Sequence, residues 1–533
     1  MSRVERGVVA AGHPLTAQAG ARVLRAGGNA VDAAVGAMLV SFVAEPLLTG
    51  LGAGGYLMVA GGGWEPALLD FFVEAPLRAT DGSAAELRAI DVSFGDAAQV
   101  FHIGPASCGV YGTPAGACEA IARWGTVSLA ELAAPAAGLA RAGVALNAGQ
   151  AYIAEILAEL LLSTPECAAL WAPSGHVLRE GEVLHNPELG DALERLGSDG
   201  AAPFYAGDIA AAVSRWLGER GGSVTGEALA SYRAQLRAPV RVGYRDREVL
   251  TNPPPSAGGT LLAYALCLLD RSPGPPGLGE IVAAMAAAQG ERTPEFVEGL
   301  VEEGFSERFL SARLGAARGA SGAGGTAGGA GGGGGQRSAT DGAEGSGGAG
   351  GTGHLGATTH ISVLDGEGRA CSVTCTNGEG SGVVVPGTGI HVNNIMGEQD
   401  LNPLGFHRHP GGRRMPSMMA PSVVLDAAGQ VELVLGSAGS NRIRSALLQT
   451  IVGVVDHGMS ASEAVAAPRV HYEEGFVYAE PGISLGALAA PGREVVAFHA
   501  LNLFFGGVQA VQRRDGELLG AGDPRRGGVA VRA

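Results

Sequence analysis

The chain has 533 residues, 46% hydrophobic and 17% charged, so it can bury a large core and is not disordered as a whole. Its 36 basic and 52 acidic side chains leave a formal charge of −16, which argues against nucleic-acid or polybasic membrane-surface partners, because both rely on clustered positive charge. The six cysteines (Cys108, Cys118, Cys167, Cys267, Cys371, Cys375) contain no C-x-x-C pair, so buried thiols are expected in place of a zinc ribbon or redox dithiol. Residues 1–12 lack the apolar stretch of a secretory signal. The most apolar segment, 30–48, is broken by Asp32 and Glu45 and falls short of the ~20 residues of a bilayer span. These features give the expectation of a cytoplasmic protein without a membrane partner.

In chain order, small and apolar residues at helical spacing predict a helix over 15–26, stopped by Gly27-Gly28. A second helix over 29–44 is apolar on nearly every side and is therefore expected to be buried. A loop over 45–55 leads to a strand over 56–60. Helices follow over 115–124, 129–142, 150–162 and 209–220, then a strand over 240–250, which Pro253-Pro254-Pro255 ends. A further helix starts at Thr260. From Gly315 to Ala357, 20 of 43 residues are glycine and large apolar side chains are nearly absent, a composition that cannot offset the entropy of ordering the chain. It reads as a flexible linker between an upstream region of 1–314 and a downstream one of 358–533. Downstream, strands over 360–364 and 370–376 flank the turn Asp365-Gly366-Glu367-Gly368, strands over 422–425 and 431–435 flank a second turn, and a helix covers 441–453. Hairpins and helices in separate runs indicate an α+β layered fold and not a doubly wound nucleotide fold.

Gly50-Leu51-Gly52-Ala53-Gly54-Gly55 satisfies G-x-G-x-x-G, but a helix precedes it and a strand follows it, the reverse of a dinucleotide site. His407 and His409 sit in a Pro/Gly-rich loop without the neighbouring carboxylates or thiolates of a metal pair, so no metal is expected. No H-E-x-x-H, Walker lysine loop or G-x-S-x-G elbow is present. Thr358-Thr359-His360 stands where the linker meets the first strand of the downstream region. A threonine at a strand start is ordinarily only a β-former. A hydroxyl nucleophile, however, needs an adjacent base, and the amine freed by one cut before Thr358 can be that base.

Ordered along almost the whole chain are His13-Pro14-Leu15, Gly27-Gly28-Asn29-Ala30-Val31-Asp32, Glu45-Pro46, Gly112-Thr113-Pro114-Ala115-Gly116, Phe204-Tyr205-Ala206-Gly207, Pro253-Pro254-Pro255-Ser256-Ala257-Gly258-Gly259, Thr358-Thr359-His360, Asn393-Asn394 and Gly436-Ser437-Ala438-Gly439-Ser440-Asn441-Arg442. With these pieces the sequence resembles the gamma-glutamyltranspeptidases (glutathione hydrolases), self-cleaving N-terminal-nucleophile enzymes. The resemblance implies a four-layer αββα sandwich, no metal or organic cofactor, and a cut between Ala357 and Thr358. It casts Thr358 as the nucleophile, Thr376 as its hydrogen-bonding partner, and the backbone N–H groups of Gly439 and Ser440 as the oxyanion hole. Asn394, Glu398 and Ser417 fall at positions that hold the substrate.

One departure stands out. Where the family usually places an arginine that grips the substrate's α-carboxylate, this chain has Phe72, which cannot make that bidentate contact. Arg413 and Arg414 are the candidate replacements. Glu398 stands for the usual aspartate, and only Ser417 remains of a serine pair. The loop between Thr376 and Gly389 is about two residues shorter than in familiar members, a change that surface loops tolerate. Three readings follow: a γ-glutamyl amide hydrolase or transferase, an acylase of the same fold acting on another acyl group, or an uncut scaffold without activity.

Overall fold

The computed structural model describes residues 6–77, 87–93, 98–321, 357–488 and 493–533. Two antiparallel sheets form its centre. The first has seven strands in the order Val529–Arg532, Gly7–Ala11, Thr358–Asp365, Ala370–Thr376, Gly54–Gly61, Trp64–Phe71 and Gln235–Arg237. The second has six, in the order Glu517–Gly522, Gly507–Arg514, Val431–Ala438, Ser422–Leu425, Arg247–Thr251 and Val240–Tyr244.

The period of two along a strand sends successive side chains to opposite faces. On the first sheet, Val9, Ala11, Leu57, Val59, Ile361 and Val363 pack into one core with the helices Pro14–Arg25, Ala30–Ala44 and Leu129–Ala142. Their neighbours Val8, Ala10, Tyr56, Met58 and Leu364 face the other way, into a core shared with the second sheet and with the helices Ala257–Leu269, Leu278–Gly290 and Arg442–Val455. The layers are therefore helix, sheet, sheet, helix, as the resemblance implies. Ala30–Ala44 is buried at every position. Its one charge, Asp32, caps the helix start by accepting the Asn29 N–H at 2.9 Å, and it also takes the Thr126 hydroxyl at 2.6 Å. A carboxylate with that many donors is satisfied without a cation.

Several expected elements change form. The single strand over 240–250 is a hairpin, Val240–Tyr244 with Arg247–Thr251. The helix over 150–162 divides at Leu157 into Ala148–Ile156 and Ala158–Leu161. The helix Phe305–Ser321 runs into the segment expected to begin a linker at Gly315. The remainder of that linker, 322–356, lies outside the described residues. The strand Gly7–Ala11 and the pair Gly507–Arg514 with Glu517–Gly522 add elements that the periodicity does not announce.

Candidate active site

Thr358 opens a central strand of the first sheet and pairs directly with Thr376 on the neighbouring strand. Its side chain is 5% exposed. The Thr358 hydroxyl donates to Thr376 Oγ1 at 3.2 Å, which also accepts the Gly378 N–H at 2.9 Å. Thr376 in turn donates to the carbonyl oxygen of Ala357 at 2.6 Å. The hydroxyl of one threonine thus bridges the side chain of the other and the carbonyl of the peptide bond before it. Thr359 faces the opposite way and donates to Glu45 Oε2 at 2.6 Å, while Thr16 donates to Glu45 Oε1 at 2.7 Å. Burial raises the Glu45 carboxyl despite these hydroxyls. His360 is occupied by Thr374 at 2.8 Å and Ser362 at 2.9 Å, and burial lowers its pKa to about 3, so the ring is neutral.

A cavity of about 320 Å³, counting the space at its open mouth, lies beside Thr358. Of the residues singled out in the sequence, it brings together Phe72, Ala357, Thr358, Thr376, Glu398, Ser417 and Ser440 on one wall system. Leu401, Met418, Met419 and Ile443 complete it, residues that carry no motif and become visible only when the chain is folded. Ser417 uses its hydroxyl oxygen to accept the Met419 N–H at 2.8 Å, which shapes that wall. Gly439 follows the last residue of Val431–Ala438 and leads into Ser440. Its φ is +117°, and a Cβ there would lie 2.8 Å from Gly506 Cα, so only glycine fits the turn. Ser440 takes a left-handed φ of +50° and donates to Asp400 Oδ2 at 3.0 Å, and Asn441 donates to the same oxygen at 3.2 Å.

Asn394 is not on the cavity wall. Its Oδ1 accepts the Glu379 N–H at 2.8 Å and the Gly380 N–H at 3.2 Å, and its amide donates to Glu379 Oε2 at 3.3 Å. It shapes the loop after Thr376. Three carboxyls gather behind that loop. Burial, then Glu379 and Asp400, raise Glu398 well above the usual carboxylate range. Burial pushes Glu379 up to about 8, with Asp400 adding to the rise and the Asn394 hydrogen bond opposing it. Of the three, only Glu398 is marked by the family motifs in the sequence. The spacing of Asp400, two residues on, was the available signal for a second.

Phe72 is fully buried and stacks on Tyr56 with ring centroids 5.5 Å apart. Arg414 is not available as its replacement. Its guanidinium bonds Asp70 Oδ1 at 3.1 Å, pairs with Glu74, and lies over the Tyr232 ring at 4.3 Å. Arg413 is exposed and is not on the wall. No cationic side chain lines the cavity among the described residues.

The remaining motifs have structural roles. A Cβ at Gly55 would meet the Thr374 carbonyl at 2.5 Å, so the glycine run lets strands approach and is followed by a strand, Gly54–Gly61. His409 donates to the Arg414 carbonyl at 2.9 Å. All six cysteines are free. Among the described residues there is no group of three His, Cys, Asp or Glu side chains placed to hold a metal, and no helix is long and apolar enough to cross a membrane.

The chain is 32% identical to the "Acylase ACY 1 proenzyme" of a Pseudomonas species, over 99% of this chain and 93% of that protein. It is 31% identical to the "Glutathione hydrolase proenzyme" of Escherichia coli, over 98% of this chain and 91% of that protein. Among solved structures, the cephalosporin acylase of Bacillus halodurans superposes with a TM-score of 0.79 at 24% identity, covering 99% of this chain and 96% of that one, a likeness of fold. The gamma-glutamyltranspeptidase family model matches residues 16–533, and the chain accordingly belongs to that family of N-terminal-nucleophile hydrolases and acylases.

Proposed function

We propose that this protein cuts itself before Thr358 and then hydrolyses or transfers amides through a Thr358 acyl-enzyme, with an acyl group that is largely apolar. In the first step the Thr358 hydroxyl attacks the Ala357 carbonyl carbon, the C–N bond breaks, and the nitrogen leaves as the α-amine of Thr358. Water then opens the resulting ester. The Thr376 hydroxyl at 2.6 Å from the Ala357 oxygen supports this step, because a donor already aimed at that atom stabilises the negative charge it develops. In the mature enzyme the freed α-amine takes the proton from the Thr358 hydroxyl as it attacks the substrate carbonyl. The resemblance casts the backbone N–H groups of Gly439 and Ser440 as the oxyanion hole, and Ser440 lies on the cavity wall, which supports that role.

The observation that carries the acyl preference is the cavity wall, where Phe72, Leu401, Met418, Met419 and Ile443 supply apolar surface and no described residue supplies a cation. An α-carboxylate entering there would lose its hydration without a charged partner, a cost of several kcal/mol, about. Glu398, on the same wall with Glu379 and Asp400 behind it, favours a second reading in which a γ-glutamyl group is held by its ammonium alone. Initial rates on γ-glutamyl and hexanoyl p-nitroanilides decide between them. The first reading expects the hexanoyl amide to have the higher kcat/KM, and Phe72→Arg to move the ratio toward the γ-glutamyl amide. A higher rate on the γ-glutamyl amide in the unaltered protein would select the second. Thr358→Ala should leave a single uncut chain on a denaturing gel, whereas the native protein shows two with the smaller beginning at Thr358.

A further inference from the structure

A second cavity, of about 470 Å³ when the space at its open mouth is counted, shares no wall residue with the one at Thr358. Uncharged residues drawn from the segments 42–51 and 170–189 line it from upstream of Thr358, and Gly389, Ile390 and His391 line it from downstream. Phe42, Leu51, Leu170, Leu184 and Leu189 make most of the wall apolar. Pro46, Leu170, Asn186 and His391 are half-buried and form a rim open to solvent.

Three hydrogen-bonding atoms on this wall are buried without a partner among the described residues: Thr49 Oγ1, Trp171 Nε1 and His391 Nδ1. Thr49 and Trp171 are each only 1% exposed. Buried polar atoms without partners cost on the order of 1–3 kcal/mol each, so three on one cavity point to something they bind. Their polarity can be read. The Gly382 N–H donates to His391 Nε2 at 3.2 Å, so the proton of the neutral ring sits on Nδ1. Burial lowers the His391 pKa to about 4 and keeps the ring neutral at physiological pH. The indole nitrogen is a donor by nature. The wall therefore offers two N–H donors and one hydroxyl, and no lining residue carries a fixed charge.

We propose that this cavity is a second binding site, separate from the catalytic one, for an uncharged and mainly apolar molecule that presents a carbonyl oxygen to Trp171 and His391. The absence of a lining cation selects against the ionised carboxylate of the same shape, and the two donors select against a pure hydrocarbon. Because its walls come from both sides of the expected cut, a ligand here would also tie the two fragments together.

Calorimetric titration of the purified protein, cut or uncut, with acetophenone, benzoate and ethylbenzene tests the proposal, since none of the three contains an amide to cleave. Acetophenone is expected to bind at millimolar concentration or below, and at least about tenfold more tightly than either other probe, the worth of one or two buried hydrogen bonds. Trp171→Phe and Thr49→Val each keep the wall's shape while removing a polar atom, and Leu189→Phe fills the space. Trp171→Phe and Leu189→Phe should each weaken acetophenone by about tenfold, and Thr49→Val provides a second polar deletion if Trp171→Phe does not fold. Equal binding of ethylbenzene or benzoate, acetophenone binding insensitive to these variants, or no binding at all, as for a cavity holding water only, would overturn it. Failure of the Thr358 reading would leave all of these outcomes unchanged, because the readout is binding and not turnover.

Discussion

Phe72 and Arg414 set the chemistry of the cavity at Thr358 between them, one by bringing an apolar ring to the wall and the other by being spent on Asp70 and Glu74. Glu379 lends itself to a pH experiment. Its pKa rises from 4.5 to about 8 on folding, so between those values the folded state holds a proton that the unfolded chain has lost. Stability must then fall as pH rises through that window. Glu379→Gln removes the effect, and urea denaturation at about pH 6.5 and 8 should show a smaller loss of stability in the variant than in the native protein. Histidines act with the opposite sign. His360 and His391 drop from 6.5 to about 3 and about 4, so their neutral burial is fully favourable above 6.5 and is lost as pH falls toward those lower values. Between about 4.5 and 6.5 the Glu379 contribution has the opposite sign, so the decline in urea midpoints is expected on acidification below about pH 4.5, where that carboxyl is protonated in both states. A flat profile across that range would contradict the neutral assignment of both rings.

Elements carry their own test in the turn after Val431–Ala438. A methyl group at Gly439 would meet Gly506 Cα at 2.8 Å in a conformation with φ of +117°, so Gly439→Ala must move the turn. Displacing its backbone donors should lower kcat by about 10²–10³ while the substrate's apolar contacts, and so KM, change little. A variant with native kcat would remove this turn from the mechanism. The elements also show where sequence patterning stops. Periodicity located Ala30–Ala44, Ala370–Thr376 and Arg442–Val455 to within a few residues. It ran Val240–Tyr244 and Arg247–Thr251 together because the turn between them has no glycine. Arg245 holds a φ of +57° there, its N–H on Asp270 at 2.7 Å and its Nε on Asp456 at 2.8 Å. Such a turn is stabilised by residues distant in the chain and has no local signature. Gly7–Ala11 escaped for a different reason: it is buried on both faces, so it lacks the alternation by which a strand is recognised.

For the whole molecule, the decisive feature is how the two sides of the expected cut interleave. In the first sheet Thr358–Asp365 lies against Gly7–Ala11, and Ala370–Thr376 against Gly54–Gly61. In the second, Ser422–Leu425 pairs with Arg247–Thr251. Scission at Ala357 breaks none of these ladders. The fragments should therefore co-elute as one species in native gel filtration and separate only under denaturing conditions; dissociation on simple dilution would mean that the sheets do not form as described.

What the sequence determined alone was the layered α+β class, the buried second helix, the position of Thr358 at a strand start, and through resemblance several residues that line one cavity with Thr358, since these depend on local pattern and on motifs. Tertiary structure decided the rest. That Asn394 supports a loop instead of lining the cavity, that Arg414 is consumed by Asp70 and Glu74, and that Asp400 joins Ser440 to Asn441 are matters of side-chain partners far apart in the chain. Charge compensation and cavity walls belong to packing, and packing exists only once distant segments meet.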